Sequence, residues 1–288
     1  MKKEIFIGWD VGGAHLKSCV IRSPKIDCSV ELCELWRAEK AGNIIDRITN
    51  IVEIKNKSIL EVGPGTGNLT SSILKKKPKK ILVVEKDDQL AKRLEENFSK
   101  EITIINRDIL KINENLLSRD KLIVFGNLPY NISTEILCKW ILNLNDKNVW
   151  FRNLILMFQK EVADRIISDF NTSKYGRLSI LTNWKLNIRK IFDIKPNSFS
   201  PKPKIDSTLL FFTPKNEFQK LKNPYVLEKI TRIFFSQRRK MIKKSFNKLF
   251  SNNLSLINKL NIDLNLRPHN LNFETYYKLA YEYEKLTS

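Results

Sequence analysis

The chain is predicted to be an α/β protein, a parallel doubly wound sheet from about Asn43 to Pro214 followed by a small helical domain. Three observations predict this. Short apolar runs alternate with segments of helical periodicity through the first stretch. A glycine-rich turn follows the first of those runs directly. After Pro214 strand-like runs cease, and 3.6-residue periodicity continues to Ser288.

In order, "NIIDRITNIVEI" spaces its apolar residues as a helix, "SILEVG" reads as a strand and "LTSSILKKK" as a short helix. "KILVVEKD", "EITIINRDIL" and "KLIVFGNLPY" are three further strands, the first two separated by the charged helix "DQLAKRLEENFSK". "STEILCKWILNL" is a helix, "NLILMFQ" a fifth strand and "KEVADRIISDF" the helix after it. "WKLNIRKIFDI" and "DSTLLFFTP" have no helix between them, so they are expected to pair antiparallel at one edge. "YVLEKITRIFFSQRRKMIKKSFNKLF" carries helical periodicity. Residues 1–38 fit this scheme poorly: "EIFIGWDVGGAHLKSCVIRS" reads as a hairpin with a Gly-Gly turn. It resembles the phosphate-binding hairpin of actin-like ATPases and sugar kinases over about twenty residues. No second phosphate loop accompanies it, so it is read as an isolated hairpin. The expected division is an atypical segment at 1–38, a catalytic domain at 39–215 and a helical domain at 216–288.

The chain has 288 residues and a formal charge of +20. Residues 216–288 carry 14 basic and 6 acidic side chains, a net +8, and residues 41–215 carry 30 and 19, a net +11. Compositional bias toward lysine would raise the acids as well, so the excess points to a polyanion, most simply nucleic acid. Cys19, Cys28, Cys33 and Cys138 form no CxxC pair, and His15 and His269 are far apart, so no zinc centre is expected. No apolar run approaches a membrane span, and Asp10 interrupts the apolar start too early for a signal peptide. A cytoplasmic protein is expected, with no membrane partner.

"ILEVGPGTGNLT" sets Gly63, Gly65 and Gly67 after a strand and before a helix, where glycine lets the backbone turn tightly and approach a ligand. The pattern is E-x-G-x-G-x-G rather than the G-x-G-x-x-G of dinucleotide sites, and its spacing is the one used by S-adenosyl-L-methionine (SAM) methyltransferases. Glu85 ends the second strand 18 residues after Gly67 and is placed to accept from ribose hydroxyls. Asp108 follows the third strand and is placed to accept from the adenine amino group of a cofactor. Each acid alone would read as a solvated strand end. Together they stand on successive strand ends, facing the crevice where such sheets bind ligands. At the fourth strand end stand Asn127, Leu128, Pro129 and Tyr130. Adenine N6 is a poor nucleophile because its lone pair is delocalised. The Asn127 side-chain oxygen and the Leu128 carbonyl can accept its hydrogens, Pro129 stiffens the turn, and Tyr130 can stack on a base taken from its helix. Alone, this tetrapeptide would read as an Asn-capped turn.

"EVGPGTGNLT", "VVEKD", "NRDIL", "NLPYNIST", "LMFQKEVADRI", "YGRLSILTNW", "SFSPKPKIDSTLLFF", "FFSQRRKMIKKSF" and "LRPHNLNFETYYKLA" resemble, in order and spacing, the ribosomal RNA adenine dimethyltransferases of the KsgA type. The match runs from about Asn43 to the C-terminus. It implies a Rossmann-like SAM-dependent methyltransferase domain with a small C-terminal helical domain. It also implies SAM as cofactor, and as partner the small ribosomal subunit, where N6 of two adjacent adenosines near the 3′ end of 16S rRNA would be dimethylated. Carried onto this chain, the cofactor residues are Glu61, Gly63, Gly65, Gly67, Glu85, Lys86, Asp108, Ile109 and Asn127. The base pocket is Asn127, Leu128, Pro129, Tyr130 and, as a second aromatic wall, Phe199. Arg238, Arg239, Lys240, Lys243 and Lys244, expected on two helical turns, would contact RNA phosphates. A monomer is expected.

One family feature is missing. A segment like "KKSLGQNFL" ordinarily precedes the helix that here begins near Asn43 and closes over the cofactor; here the chain reads "WRAEKAGNIIDRI". A foreign or misassigned N-terminal segment is expected in place of that lid, with weakened SAM affinity and turnover, and a genuine fusion whose new segment replaces the lid is the alternative. Two alternatives stay open: an Erm-type enzyme of large-subunit rRNA, and a non-catalytic assembly factor that keeps the fold.

Overall fold

The structure is a computed structural model that describes residues 20–22, 25–27, 38–98, 100–144, 149–198 and 204–287. Strands β1 (Val20–Arg22) and β2 (Lys25–Asp27) pair antiparallel with each other. The Gly12-Gly13 turn of the expected hairpin lies outside the described residues. Helix α1 (Ala38–Thr49) leads into the main sheet.

That sheet has seven strands in the order β5-β4-β3-β6-β7-β9-β8. Five are parallel: β3 (Ser58–Val62), β4 (Lys80–Glu85), β5 (Thr103–Asn106), β6 (Leu122–Gly126) and β7 (Phe151–Gln159). Their crossovers hold α2 (Asn68–Lys75), α3 (Asp88–Phe98) and α4 (Ser133–Asn143). After β7 come α5 (Lys160–Ile166) and α6 (Arg177–Lys185). The last two strands, β8 (Leu186–Ile194) and β9 (Ser207–Pro214), pair antiparallel, and β9 also runs antiparallel to β7. The expected doubly wound sheet with an antiparallel edge is therefore present. "WKL" is corrected: Trp184 and Lys185 close α6, and the strand begins at Leu186. Trp184 is buried in the helical core, with its ring nitrogen donating to the Gln219 carbonyl.

The central strands β3, β4, β6 and β7 are largely apolar on both faces because both are covered. Leu60, Val62, Leu82, Val84, Val124 and Leu156 point into one core, and Ile59, Ile81, Val83, Ile123, Phe125 and Ile155 into the other. This is the period-two alternation of a pleated strand. The first core runs on without a break into the C-terminal helices α7 (Tyr225–Phe235), α8 (Lys243–Phe250) and α10 (Phe273–Thr287) through Leu227, Phe234, Phe246, Tyr276 and Leu279. Helix α9 (Leu254–Leu260) lies between α8 and α10 in the chain.

The periodic run after Pro214 is two helices, so the basic residues do not share two turns of one helix. Ser236 caps α7, with its hydroxyl donating to the Ile233 carbonyl, and Lys240 N–H turns back to the Gln237 carbonyl. Ile242 is fully buried and its N–H donates to the Leu266 carbonyl, which fixes where α8 starts. Burial of Ile242 outweighs the continuity of the helical pattern.

Candidate active site

The site is built where β3, β4, β5 and β6 end side by side. Glycine is required in the turn after β3: Gly63, Gly65 and Gly67 have φ of 70°, 58° and 86°, in the left-handed region that side chains disfavour. A Cβ at Gly67 would stand 2.5 Å from the Phe98 ring, so α2 and α3 could not pack as they do. A Cβ at Gly63 would come within 3.3 Å of the Asn127 carbonyl oxygen, which shows how closely the two motifs pass. Among the described residues nothing lies within 4 Å of the position a Cβ would take at Gly65, so none of them fills this side of the turn.

Glu85 is tied into this turn. One carboxylate oxygen accepts from the N–H groups of Lys86 (2.8 Å) and Asp87 (3.0 Å), and the other from Gly65 N–H (3.4 Å). Burial nevertheless raises its pKa. Asp108 follows β5. One of its oxygens accepts from Leu110 N–H and the other from the Lys86 ammonium at 2.9 Å, which holds the carboxyl below the usual range.

Glu61 is 2% exposed inside β3 and accepts 2.7 Å from the Thr70 hydroxyl. Burial pushes its pKa from 4.5 up to about 7, against the Thr70 bond and with a smaller push from Glu85. The folded chain thus keeps a proton that the unfolded chain has lost, and stability falls as pH rises from about 4.5 to about 7. Glu61→Gln is expected to remove most of that fall, roughly 3 kcal/mol, measured by urea unfolding at pH 5 and pH 8. A pH dependence unchanged by the substitution would refute this origin.

At the end of β6, a Cβ on Gly126 would meet Leu156 at 2.8 Å and Leu128 at 2.9 Å, so glycine is there for space. Leu128 is 1% exposed and folds back into the core, anchoring the peptide between an exposed Asn127 and an exposed Pro129. Ile132 N–H donates to the Pro129 carbonyl and the Ser133 hydroxyl to the Tyr130 carbonyl, a turn that feeds α4. Tyr130 is half-buried, and its hydroxyl lies 2.7 Å from that of Ser207.

A profile of the family described as ribosomal RNA adenine dimethylase matches residues 39–285. The chain belongs to that family. It is 66% identical over 243 residues to the ribosomal RNA small subunit methyltransferase A of Pelagibacter ubique (strain HTCC1062), spanning 84% of this chain and 92% of that protein. Among solved structures it is similar to a dimethyladenosine transferase from Plasmodium falciparum, at TM-score 0.70 and 25% identity over 88% of this chain and 98% of that one. The 23S rRNA methyltransferase ErmE is similar in fold, at TM-score 0.62 and 20% identity over 88% of this chain and all of that one.

Within this dimethylase fold, Gly63, Gly65, Gly67, Glu85, Lys86, Asp108, Ile109 and Asn127–Tyr130 come together at one end of the sheet. Glu61 stands one step below them, in the strand itself. Phe199 lies outside the described residues. Arg239 and Lys240 are exposed in the turn between α7 and α8, and Lys243 and Lys244 on the first turn of α8. Arg238 differs, because its guanidinium donates to the Ser173 carbonyl and so ties the segment before α6 to the C-terminal helices.

Three contributors were not read from the sequence. Thr70 holds Glu61, Ser207 meets Tyr130, and Lys139 donates to the Ile109 and Ile112 carbonyls beneath the Asp108 loop. Only Lys139 left a signal, as a lysine between Cys138 and Trp140 on a largely buried helix.

Proposed function

We propose that this chain transfers methyl groups from SAM to N6 of two adjacent adenosines near the 3′ end of small-subunit rRNA. The observation that supports it best is the convergence of the glycine turn, Glu85, Asp108 and Asn127–Tyr130 at adjacent strand ends. The residues fit an adenosine-bearing cofactor: a turn that no described residue fills at Gly65, and two carboxylates already drawn toward N–H donors. Glu85 would accept from ribose hydroxyls, and Asp108, with the Ile109 N–H, would meet the adenine edge. When bound, SAM supplies a methyl group made electrophilic by the sulfonium that carries it.

On the base side, the Asn127 amide oxygen and the Leu128 carbonyl take the two amino hydrogens. They draw N6 out of conjugation with its ring, so its lone pair is freed. Tyr130 holds the extruded base by stacking, worth about 1–3 kcal/mol. The contribution is positioning and electrostatics. The methylated nitrogen is briefly cationic and loses its proton readily, so no histidine base is needed.

The helical region at 216–288 serves RNA binding. Lys243 and Lys244 occupy the first turn of α8, which holds no acid, and cations there oppose the helix dipole at about 0.3–1 kcal/mol each. Fold stability does not account for them; phosphates at a helix N-terminus do. Replacing Arg239, Lys240, Lys243 and Lys244 by alanine is expected to flatten the salt dependence of subunit binding by about 0.7 to 0.9 per lost contact. Sedimentation at several salt concentrations reads it, and an unchanged slope would count against this surface.

The deciding experiment supplies labelled SAM with unmethylated small subunits and, separately, large subunits. Label confined to small subunits supports the proposal. Label in large subunits favours the Erm-type reaction, and binding without label an assembly factor.

A further inference from the structure

The contact between Tyr130 and Ser207 has no part in the function as stated so far. We propose that Ser207 is a positioning residue: its hydroxyl fixes the plane of the Tyr130 ring and acts on methyl transfer only through it. The inference rests on Tyr130 being the stacking residue of the base pocket.

Ser207 lies 77 residues beyond Tyr130 in the chain and is fully buried. It opens β9 and pairs with Gln159 of β7 and with Ile194 of β8, so a strand on each side holds its backbone. Its neighbours are held as well. The Asp206 carbonyl accepts from Lys160 N–H at 2.9 Å, and the Thr208 hydroxyl donates to Asp193 at 2.6 Å. The Ser207 oxygen is thus a fixed point on rigid scaffold.

Tyr130 is the opposite case. It sits in a loop, and the outer torsion of a tyrosine ring has a broad, two-fold profile that the backbone does not choose. The phenol oxygen lies on the axis of that torsion and does not move with it, but a phenol O–H lies in the plane of its ring, so a partner held off the axis draws the plane toward itself. A ring that must lie flat on a base needs its plane held to roughly 10–20°. The two hydroxyls, 2.7 Å apart, satisfy each other, so neither is buried without a partner. If that mutual satisfaction were the whole role, losing it would lower stability and leave turnover of the folded enzyme unchanged.

The test compares Ser207→Ala, Tyr130→Phe and the double variant in methyl transfer to unmethylated small subunits. Both single changes delete the same bond and both keep the ring. Each is expected to lower kcat about tenfold through misplacement of the base. The double variant should lose no more than either single one, because there is only one bond to lose. SAM affinity by calorimetry and subunit binding should stay within about twofold of the parent, because both variants keep the ring and the exposed basic residues Arg239, Lys240, Lys243 and Lys244 carry the subunit affinity. Turnover of Ser207→Ala equal to the parent's overturns the inference, as do losses that multiply in the double variant. A parent chain that labels no subunit refutes the proposed function instead. The ring then decides alone: with 3-fluorotyrosine incorporated, the ¹⁹F line that Tyr130→Phe removes must shift or broaden in Ser207→Ala. An unchanged line overturns the inference.

Discussion

Asn127→Ala is expected to lower methyl transfer by about 10²–10³ while small-subunit binding stays intact. Asn127 is exposed at the end of β6, and its carbonyl lies close to Gly63, so its backbone is set by the strand and not by its own side chain. Alanine therefore keeps the turn. The folding cost is expected to stay within about 0.5 kcal/mol, as for exposed positions generally. What is lost is one of two acceptors for the amino hydrogens of the base, and the remaining Leu128 carbonyl cannot alone draw the nitrogen out of conjugation. Tyr130→Ala removes the stacking face and is expected to cost about tenfold to a hundredfold, in keeping with about 1–3 kcal/mol per stacked base. Transfer from labelled SAM and subunit sedimentation separate the two effects. Full activity in both variants would end the base-pocket assignment.

Lys139→Met is expected to be the most destabilising single change, by about 3–5 kcal/mol. Glu114 is 3% exposed and accepts both from the Lys139 ammonium at 2.6 Å and from the Trp140 ring N–H at 2.7 Å. Removing the lysine leaves a buried carboxylate with no countercharge from this helix. The Ile109 and Ile112 carbonyls lose the same donor, so the loop that carries Asp108 loosens with it. At a few degrees per kcal/mol for a chain of this size, Tm should fall by about 10 °C. SAM affinity should weaken alongside it. A Tm within about 2 °C of the parent would show that Glu114 is well accommodated without Lys139.

Strands β3, β4 and β6 were legible because each is a short apolar run closed by Gly or Glu, and a strand buried on both faces needs no partner to declare itself. The glycine turn, Glu85, Asp108 and Asn127–Tyr130 were legible for a related reason. In a doubly wound sheet the carboxyl ends of neighbouring strands meet, so strand ends that are far apart in sequence share one crevice. The break at 236–242 was not legible. Helical periodicity passes straight through it, and only the burial of Ile242 and its bond to Leu266 end the pattern.

The sequence by itself determined the fold class, the antiparallel edge, the placing of the glycine turn, Glu85, Asp108 and Asn127–Tyr130 at successive strand ends, and the basic character of the C-terminal region. These depend on local pattern and on a topology rule that needs no distances. The tertiary structure alone decided that Arg238 braces the loop before α6 while Arg239, Lys240, Lys243 and Lys244 face outward. It alone placed Lys139 under the Asp108 loop, Thr70 on Glu61 and Ser207 against Tyr130. The physical reason is common to all of them. A hydrogen bond depends on a few tenths of an ångström between two atoms, and a periodic pattern carries no such distance between residues 77 positions apart.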